Sequence, residues 1–243
     1  MGSSPQWQPT VNPWIIAVTT ILPTFMVALD TSVANVALPQ IAGSLSASSE
    51  EATWVLTSYL VANAIVLPIT GWMSLYLGRK RFLMASIVVF TVSSVACGAA
   101  FSLPVLILAR IVQGASGGAL LPVSQAVLLE SFPPVQRGEA MAVYALGVIV
   151  APIVGPTLGG WITDNYSWRW VFYINLPVGV LATVLTQMLI EDPPYVRGGK
   201  GGRIDYVGFV LMAVSLGALQ LILDKGQQDD WFSALWIRWS TGI

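Results

Sequence analysis

Residues 105–129 read VLILARIVQGASGGALLPVSQAVLL, an apolar run with a single charged residue, Arg110. The run exceeds the roughly 20 residues that an α-helix needs to cross a bilayer. Arginine stays protonated in proteins, so a guanidinium inside a membrane is costly unless it meets a partner or water. Asp30 is equally isolated, because it is the only charged residue before Glu50. Two ionisable groups in membrane-length segments indicate an ion or proton pathway.

The composition of the whole chain also favours a membrane protein. Charged residues make up 9% of the 243 residues, against about 25% in soluble domains, and hydrophobic residues make up 55%. A net charge of -1 offers no basic surface for nucleic acid. The chain has no histidine, which removes Ser/His/Asp and Cys/His catalytic systems, and its one cysteine has no disulfide partner in the chain. We therefore expect neither enzyme activity nor a metal or cofactor site.

Seven apolar segments predict an all-α polytopic membrane protein. We number them span 1 to span 7 in chain order, with expected bounds at about residues 14–38, 54–77, 82–100, 103–129, 140–163, 170–190 and 206–223. These spans divide the chain into four regions. An N-terminal tail occupies residues 1–13, and a six-helix lobe occupies residues 14–190. A linker rich in proline, glycine and charge follows at 191–204, and residues 205–243 hold span 7 and the unfinished start of an eighth helix.

Basic residues are unevenly distributed between the two sets of loops. The loops after spans 2, 4 and 6 hold seven of them: Arg79, Lys80, Arg81, Arg137, Arg197, Lys200 and Arg203. The opposite loops hold only Arg169 and Lys225. Because lysine and arginine are retained on the cytoplasmic side, we expect the N-terminal tail and the loops after the even-numbered spans to be cytoplasmic.

Asp30 and Arg110 are the strongest candidates for chemistry. Helical rise places both in the outer half of the bilayer, opposite the basic loops. Gln113 follows Arg110 by three residues and lies on the same helix face. Two interpretations are open: the charges share a water-filled cavity in which Asp30 loads and releases a proton, or they form a fixed ion pair that holds two helices together. We favour the first, since charges inside membranes usually mark pathways.

Span 5 carries small residues at four-residue spacing, interleaved with prolines: Gly147, Ala151, Gly155, Gly159, Pro152 and Pro156. Small residues let helices pack closely, and proline bends a helix by removing a backbone hydrogen bond. The stripe is therefore interpreted as a packing face or as a hinge. The loop at residues 71–81, GWMSLYLGRKR, is either a basic membrane anchor or part of a gate.

Five segments, in order, resemble motifs of the major facilitator superfamily, specifically its fourteen-helix drug:proton antiporter subfamily of the EmrB/QacA type. They are LDTSVANVALP at 29–39, GWMSLYLGRKR at 71–81, RIVQG at 110–114, GVIVAPIVGPTLGG at 147–160 and WRWVFYINLPVG at 168–179. The resemblance implies that the chain is the N-terminal part of such a transporter. It would contain the first six-helix lobe, built as a three-plus-three inverted repeat, and one additional helix.

The resemblance implies proton-coupled export of amphipathic or cationic drugs, with the proton gradient as the driving force. Proton coupling falls to Asp30 and Arg110, and substrate binding to Asp30, Asn35 and Gln113. Gating or conformational roles fall to Gly71, Gly78, Arg79, Gly147, Gly155, Pro156 and Gly159. Leu75 and Tyr76 depart from the loop motif, which usually has an acid and an arginine there. Expected partners are the lipid bilayer, a drug-like substrate and protons. The resemblance also allows a periplasmic adaptor protein and an outer-membrane channel as partners, because some members of the subfamily have them.

Other functions compete with this interpretation. The chain is also compatible with a superfamily importer of a small nutrient, although the glycine-proline stripe of span 5 argues against it. A truncated, non-transporting product or a half-transporter subunit with a separately encoded second lobe would account for the missing second lobe. A seven-helix receptor would place its N-terminus outside, opposite to the expected orientation.

Overall fold

The computed structural model describes residues 7, 9–193, 205–227 and 230–241, in which every regular element is helical. The α-helices of these residues are α1 (Pro13–Ser44), α2 (Ser49–Val66), α3 (Thr70–Leu77), α4 (Arg79–Ala99), α5 (Leu103–Ser131), α6 (Arg137–Asn165), α7 (Trp170–Tyr173), α8 (Asn175–Leu189), α9 (Tyr206–Lys225) and α10 (Leu235–Ser240). Short 3₁₀ helices occupy Leu67–Ile69, Pro134–Gln136 and Trp231–Ser233.

Within the described residues, seven helical segments are long and apolar enough to cross a membrane, which confirms the all-α polytopic fold class. Spans 1, 3, 4, 5 and 7 each contain one α-helix, namely α1, α4, α5, α6 and α9. Span 2 joins α2 to α3 through a 3₁₀ turn, and span 6 joins α7 to α8. The expected start of an eighth helix is a 3₁₀ turn followed by the short α10. Most of the linker, including its three basic residues, lies outside the described residues.

The turn between spans 1 and 2 is shorter than the sequence predicted, because both flanking helices extend into the expected loop. Span 1 was expected to end before Pro39, but it continues to Ser44, and span 2 begins at Ser49. The capping box of span 2 marks the actual turn: the Ser48 hydroxyl accepts from the Glu51 backbone N–H, and the Glu51 carboxylate accepts from the Ser48 N–H. Asp30 lies near the middle of this longer span 1.

Span 1 is the central helix of the bundle. It packs most extensively on span 5 and also contacts spans 2, 4 and 6. Span 2 pairs with span 4, and span 3 lies between spans 4 and 6. Span 7 packs on span 2, and spans 5 and 7 are the least buried of the seven. The helix that carries Asp30 is therefore surrounded by other helices.

Glycines bring the backbones of spans 2 and 4 nearly into contact. A Cβ on Gly114 would clash with the backbone oxygen of Tyr59, and one on Gly118 would lie 2.6 Å from that of Asn63. Such approaches are possible only where one helix lacks a side chain. They hold span 2 against the face of span 4 that carries Arg110.

The small-residue stripe of span 5 packs against span 1. A Cβ on Gly155 would clash with the Ser32 hydroxyl oxygen, and one on Gly159 would lie 3.3 Å from the Val33 backbone. Gly147 faces Ile21 in the same way, and Ala151 is fully buried. The stripe is a packing face for the helix that carries Asp30; its role as a hinge stays a prediction.

Alanine at Gly114 is expected to lower the free energy of unfolding by about 1–3 kcal/mol, because neither backbone can yield to the added methyl group. Gly160→Ala is the matched control, since nothing lies within 4 Å of a Cβ there and alanine favours a helix. Thermal unfolding of both variants in detergent micelles is the measurement. A Gly114→Ala variant that melts with the parent would contradict the close contact.

Candidate functional site

Asp30 accepts hydrogen bonds from three side chains on two other spans. Arg110 Nη1 lies 2.6 Å from Oδ2, while Gln113 Nε2 and Asn175 Nδ2 lie 2.9 and 2.7 Å from Oδ1. The Asp30 residue is only 1% exposed. Because an ionised carboxylate only accepts hydrogen bonds, an arrangement of three donors suits its charged form.

Arg110 is fully buried and is held from several directions. Its Nε donates to the backbone oxygen of Val55 at 3.1 Å, and its Nη1 also donates to Gln113 Oε1 at 2.8 Å. The guanidinium carbon lies 4.1 Å from the centroid of the Tyr59 ring, within the range of a cation–π contact. These contacts use the planar, forked shape of arginine as well as its charge.

A second layer of contacts links the carboxylate to spans 3 and 6. Asn175 Nδ2 donates to the Ser94 hydroxyl at 2.9 Å, and that hydroxyl donates to the backbone oxygen of Phe172 at 2.8 Å. Cys97 Sγ lies 3.4 Å from Gln113 Oε1. We call the connected side chains of Asp30, Ser94, Arg110, Gln113 and Asn175 the Asp30 cluster. Four spans contribute to it, and span 2 supplies the contacts to Arg110.

Asn175 lies next to a small irregularity in the helix of span 6. Pro177 has no N–H to bond the carbonyl of Tyr173 four residues earlier, and its ring crowds that carbonyl. α7 ends at Tyr173 and α8 begins at Asn175, while Ile174 between them keeps a right-handed helical backbone. Asn175 is 1% exposed and donates a hydrogen bond to Asp30 on span 1.

Asp30 and Arg110 form a direct ion pair with both side chains 0% exposed. The sequence left open whether the two charges share a water-filled cavity or form a fixed ion pair, and in the described conformation they form the ion pair. Gln113 joins it as expected. Asn35, grouped with them as a substrate contact, lies on an exposed face of span 1 instead. The substrate-binding roles of Asp30, Asn35 and Gln113 stay predictions, and in this conformation only Asn35 is accessible.

The loop between spans 2 and 3 brings together several residues that the sequence did not connect. Gly78 has a φ of 87°, which a residue with a side chain rarely adopts. Asp192, just after span 6, accepts a hydrogen bond from the Lys80 backbone N–H at 2.8 Å, so its carboxylate lies at the N-terminus of span 3. Arg79 forms an ion pair with Glu130 at the end of span 4. Gly71 faces open space, and a gating role for this loop stays a prediction.

Sequence reasoning missed Asn175, Ser94 and Tyr59. Asn175 carried a usable signal, because it is a polar residue two positions before a proline inside an apolar span. Ser94 and Tyr59 carried no such signal in the sequence. Serine is frequent in these spans, and a tyrosine can occur on any face of a helix, so neither residue stands out as a partner of the two charges. Among the described residues no group of His, Cys, Asp and Glu is arranged to hold a metal ion.

The seven membrane-length helices of the described residues define a multi-pass membrane protein, and sequence comparison identifies its family. The profile of the Major Facilitator Superfamily matches residues 20–241. The chain therefore belongs to this superfamily, as its five motifs predicted.

Several curated relatives are export or resistance proteins. The chain is 44% identical over 220 residues to the multidrug export protein EmrB of Escherichia coli K12, covering 90% of this chain and 43% of EmrB. It is 43% identical over 215 residues to the fatty acid resistance protein FarB of Neisseria gonorrhoeae, covering 88% of this chain and 42% of FarB. The chain thus spans less than half the length of these relatives.

Solved structures support the same fold. A double-tryptophan mutant of XylE superposes with a TM-score of 0.69 at 18% identity, covering 89% of this chain and 54% of that one. The human organic anion transporter MFSD10 gives a TM-score of 0.68 at 14% identity, covering 86% of this chain and 55% of that one. At these identities the likeness concerns the fold.

Removing one partner of the buried ion pair should cost more than removing both. Arg110→Met leaves the Asp30 carboxylate without its counter-charge, and we expect a loss of about 3–5 kcal/mol in the free energy of unfolding. The double variant with Asp30→Leu should recover much of that loss, because no buried charge remains. Denaturant unfolding of the single and double variants in micelles measures the coupling. Additive losses would show that the two charges do not depend on each other.

Proposed function

We propose that this chain forms the first lobe of a proton-coupled exporter of amphipathic or cationic compounds, with the Asp30 cluster as its proton site. The observation that carries the proposal is a carboxylate within a membrane span, paired directly with an arginine and bonded by two neutral amides. Intramembrane acids with such partners mark ion or proton pathways. Relatives named for multidrug export and fatty acid resistance favour export as the direction.

Proton binding to Asp30 would change the energy of the bundle at a definite place. The ionised carboxylate holds Arg110 of span 4 against span 1, and protonation removes the negative charge from that pair. A guanidinium without a counter-ion is costly in an apolar interior, so the protonated form favours a conformation in which Arg110 meets water or another partner. Proton uptake and release would then shift the balance between two conformations, which is what coupled transport requires.

The substrate would bind between this lobe and a second one, near the middle of the membrane. Asn35 is exposed on span 1 and is available to such an interface, whereas Asp30 and Gln113 are buried in this conformation. We infer that Asp30 acts on the substrate mainly by changing the conformation of the lobe. Direct contact with a cationic substrate would require the helices around the cluster to separate.

The second lobe corresponds, in this proposal, to the remaining length of the curated relatives, of which this chain spans 43% in EmrB. It is supplied by the same polypeptide or by a partner subunit, and we call the assembly of both lobes the complete transporter. The loops with Arg79 and Arg137 would face the cytoplasm. An adaptor protein and an outer-membrane channel would extend the export path in a cell with two membranes.

Asp30→Asn should abolish proton-driven drug uptake into inverted membrane vesicles that contain the complete transporter, because asparagine takes up no proton. The variant should still insert, since an amide can keep hydrogen bonds within the cluster. Asp164→Asn, at an exposed aspartate near the end of span 5, is the matched control and should transport normally. Unchanged proton-driven uptake by Asp30→Asn would remove Asp30 from the mechanism.

Arg110→Lys should also lose proton-driven uptake, although it keeps the positive charge. Lysine cannot reproduce the simultaneous bonds from Nε to Val55 and from Nη1 to Asp30 and Gln113. The same vesicle assay, corrected for the amount of protein in the membrane, is the measurement. Normal transport by this variant would mean that charge alone is required at position 110.

A further inference from the structure

We propose that Asn175 is a positioning residue whose side-chain amide turns over when Asp30 takes up a proton. It donates a hydrogen bond to the carboxylate and accepts one from the carboxylic acid. The inference rests on the proposed function, because it concerns the proton-bound form of Asp30. It is carried by the difference between the two amides that contact this carboxyl group.

In the ionised cluster every group that faces Asp30 must be a donor. Oδ2 accepts from Arg110 Nη1, and Oδ1 accepts from Gln113 Nε2 and Asn175 Nδ2. Oδ1 already accepts two bonds, so a proton added to Oδ1 would point at one of these two N–H groups. One of the two donors to Oδ1 therefore has to be replaced by an acceptor when the acid forms at this oxygen.

Arg110 and Gln113 cannot supply that acceptor. A guanidinium has no acceptor atom at any accessible pH. The Gln113 oxygen already accepts from Arg110 Nη1 at 2.8 Å and lies 3.4 Å from Cys97 Sγ. Turning the Gln113 amide would place its NH₂ group against the N–H of the arginine, leaving two donors face to face.

Asn175 has the acceptor to spare. Its Oδ1 is buried and has no hydrogen-bond partner among the residues that the structure describes. A half-turn of the amide exchanges Nδ2 and Oδ1, so that Oδ1 faces the acid proton of Asp30. One atom of the Asn175 amide therefore bonds the carboxyl group both before the turn, when it is Nδ2, and after it, when it is Oδ1. Burying a polar atom without a partner is costly, so the spare oxygen is a feature that needs a physical reason.

The Ser94 hydroxyl is suited to both orientations of the amide. It now accepts from Asn175 Nδ2 at 2.9 Å and donates to the backbone oxygen of Phe172 at 2.8 Å. A hydroxyl both donates and accepts, so it can rotate and donate to Asn175 Oδ1 after the turn.

The proton step is simple in chemical terms. A hydronium ion reaching the cluster from the aqueous side gives its proton to Asp30 Oδ1, an O–H bond forms, and water is left. The ionisable groups around Asp30 are Arg110 on span 4, Tyr59 on span 2 and Cys97 on span 3. None of these three is a carboxyl group, so the carbonyl band of a protonated carboxyl reports on Asp30 without interference from them.

Infrared difference spectra of the chain in lipid vesicles, between neutral and acidic pH, test the proposal. The parent should show a carboxylic-acid carbonyl band that is missing in Asp30→Asn. In Asn175→Leu, which removes the acceptor at similar size, that band should move to higher frequency. Ser93→Ala is the matched control and should leave the band unchanged, because in the described part of the chain the Ser93 hydroxyl bonds only backbone oxygens of its own helix.

The outcomes separate this proposal from the proposed function. If the parent shows no band that depends on Asp30, Asp30 takes up no proton and both proposals fall. If the band is present but has the same frequency in Asn175→Leu, only the turn of the amide is overturned. Should Asn175→Leu fail to fold, the same infrared measurement on the parent with isotope-labelled asparagine tests the proposal. An amide carbonyl band of the labelled asparagine should shift on acidification of the parent, and it should not shift in Asp30→Asn. A labelled amide that is insensitive to pH in the parent would overturn the turn as well.

Discussion

A carboxylate and a guanidinium that are both withdrawn from water inside a bilayer remain ionised at tolerable cost only while they touch each other. Asp30 and Arg110 meet this condition with 2.6 Å between Oδ2 and Nη1. Most of the bundle is arranged around this contact. Spans 1 and 4 carry the two charges, and span 2 covers the guanidinium. Span 6 bonds the carboxylate through Asn175, and span 3 bonds Asn175 through Ser94. The same pair is the point at which a single proton would change the energy of the whole arrangement.

Small residues make that contact geometrically possible. Gly114, one turn after Arg110, admits the backbone of span 2 and so positions the Tyr59 ring over the guanidinium. The stripe on span 5 admits span 1 closely at Ser32, two residues from Asp30. Glycines that by themselves indicate only helix packing therefore also determine how tightly the ion pair is enclosed. Close packing on two sides of the charged helices keeps water away from the pair in this conformation.

The two amides of the Asp30 cluster have different constraints, which suggests a division of roles. Gln113 bonds both charged partners at once, so its orientation is determined by Arg110. Asn175 bonds the Asp30 carboxyl group and the Ser94 hydroxyl. The hydroxyl can bond either end of an amide, and the carboxyl group can bond the amide oxygen once it is protonated. The proposed proton-coupled exporter needs a lobe that is stable both with and without its proton, and a cluster with one fixed and one adjustable amide would meet that need.

The sequence by itself determined the class of the protein and the two charges that matter. Seven long apolar segments cannot be anything but membrane helices, and an isolated Asp30 and Arg110 within them are conspicuous because charge is so rare there. Helical spacing also placed Gln113 beside Arg110. The tertiary structure decided whether the charges share a cavity or touch, which helix face Asn35 occupies, and that Asn175 and Tyr59 reach the pair. Those outcomes depend on how one helix is rotated and offset against another, and no periodicity within a single segment encodes them.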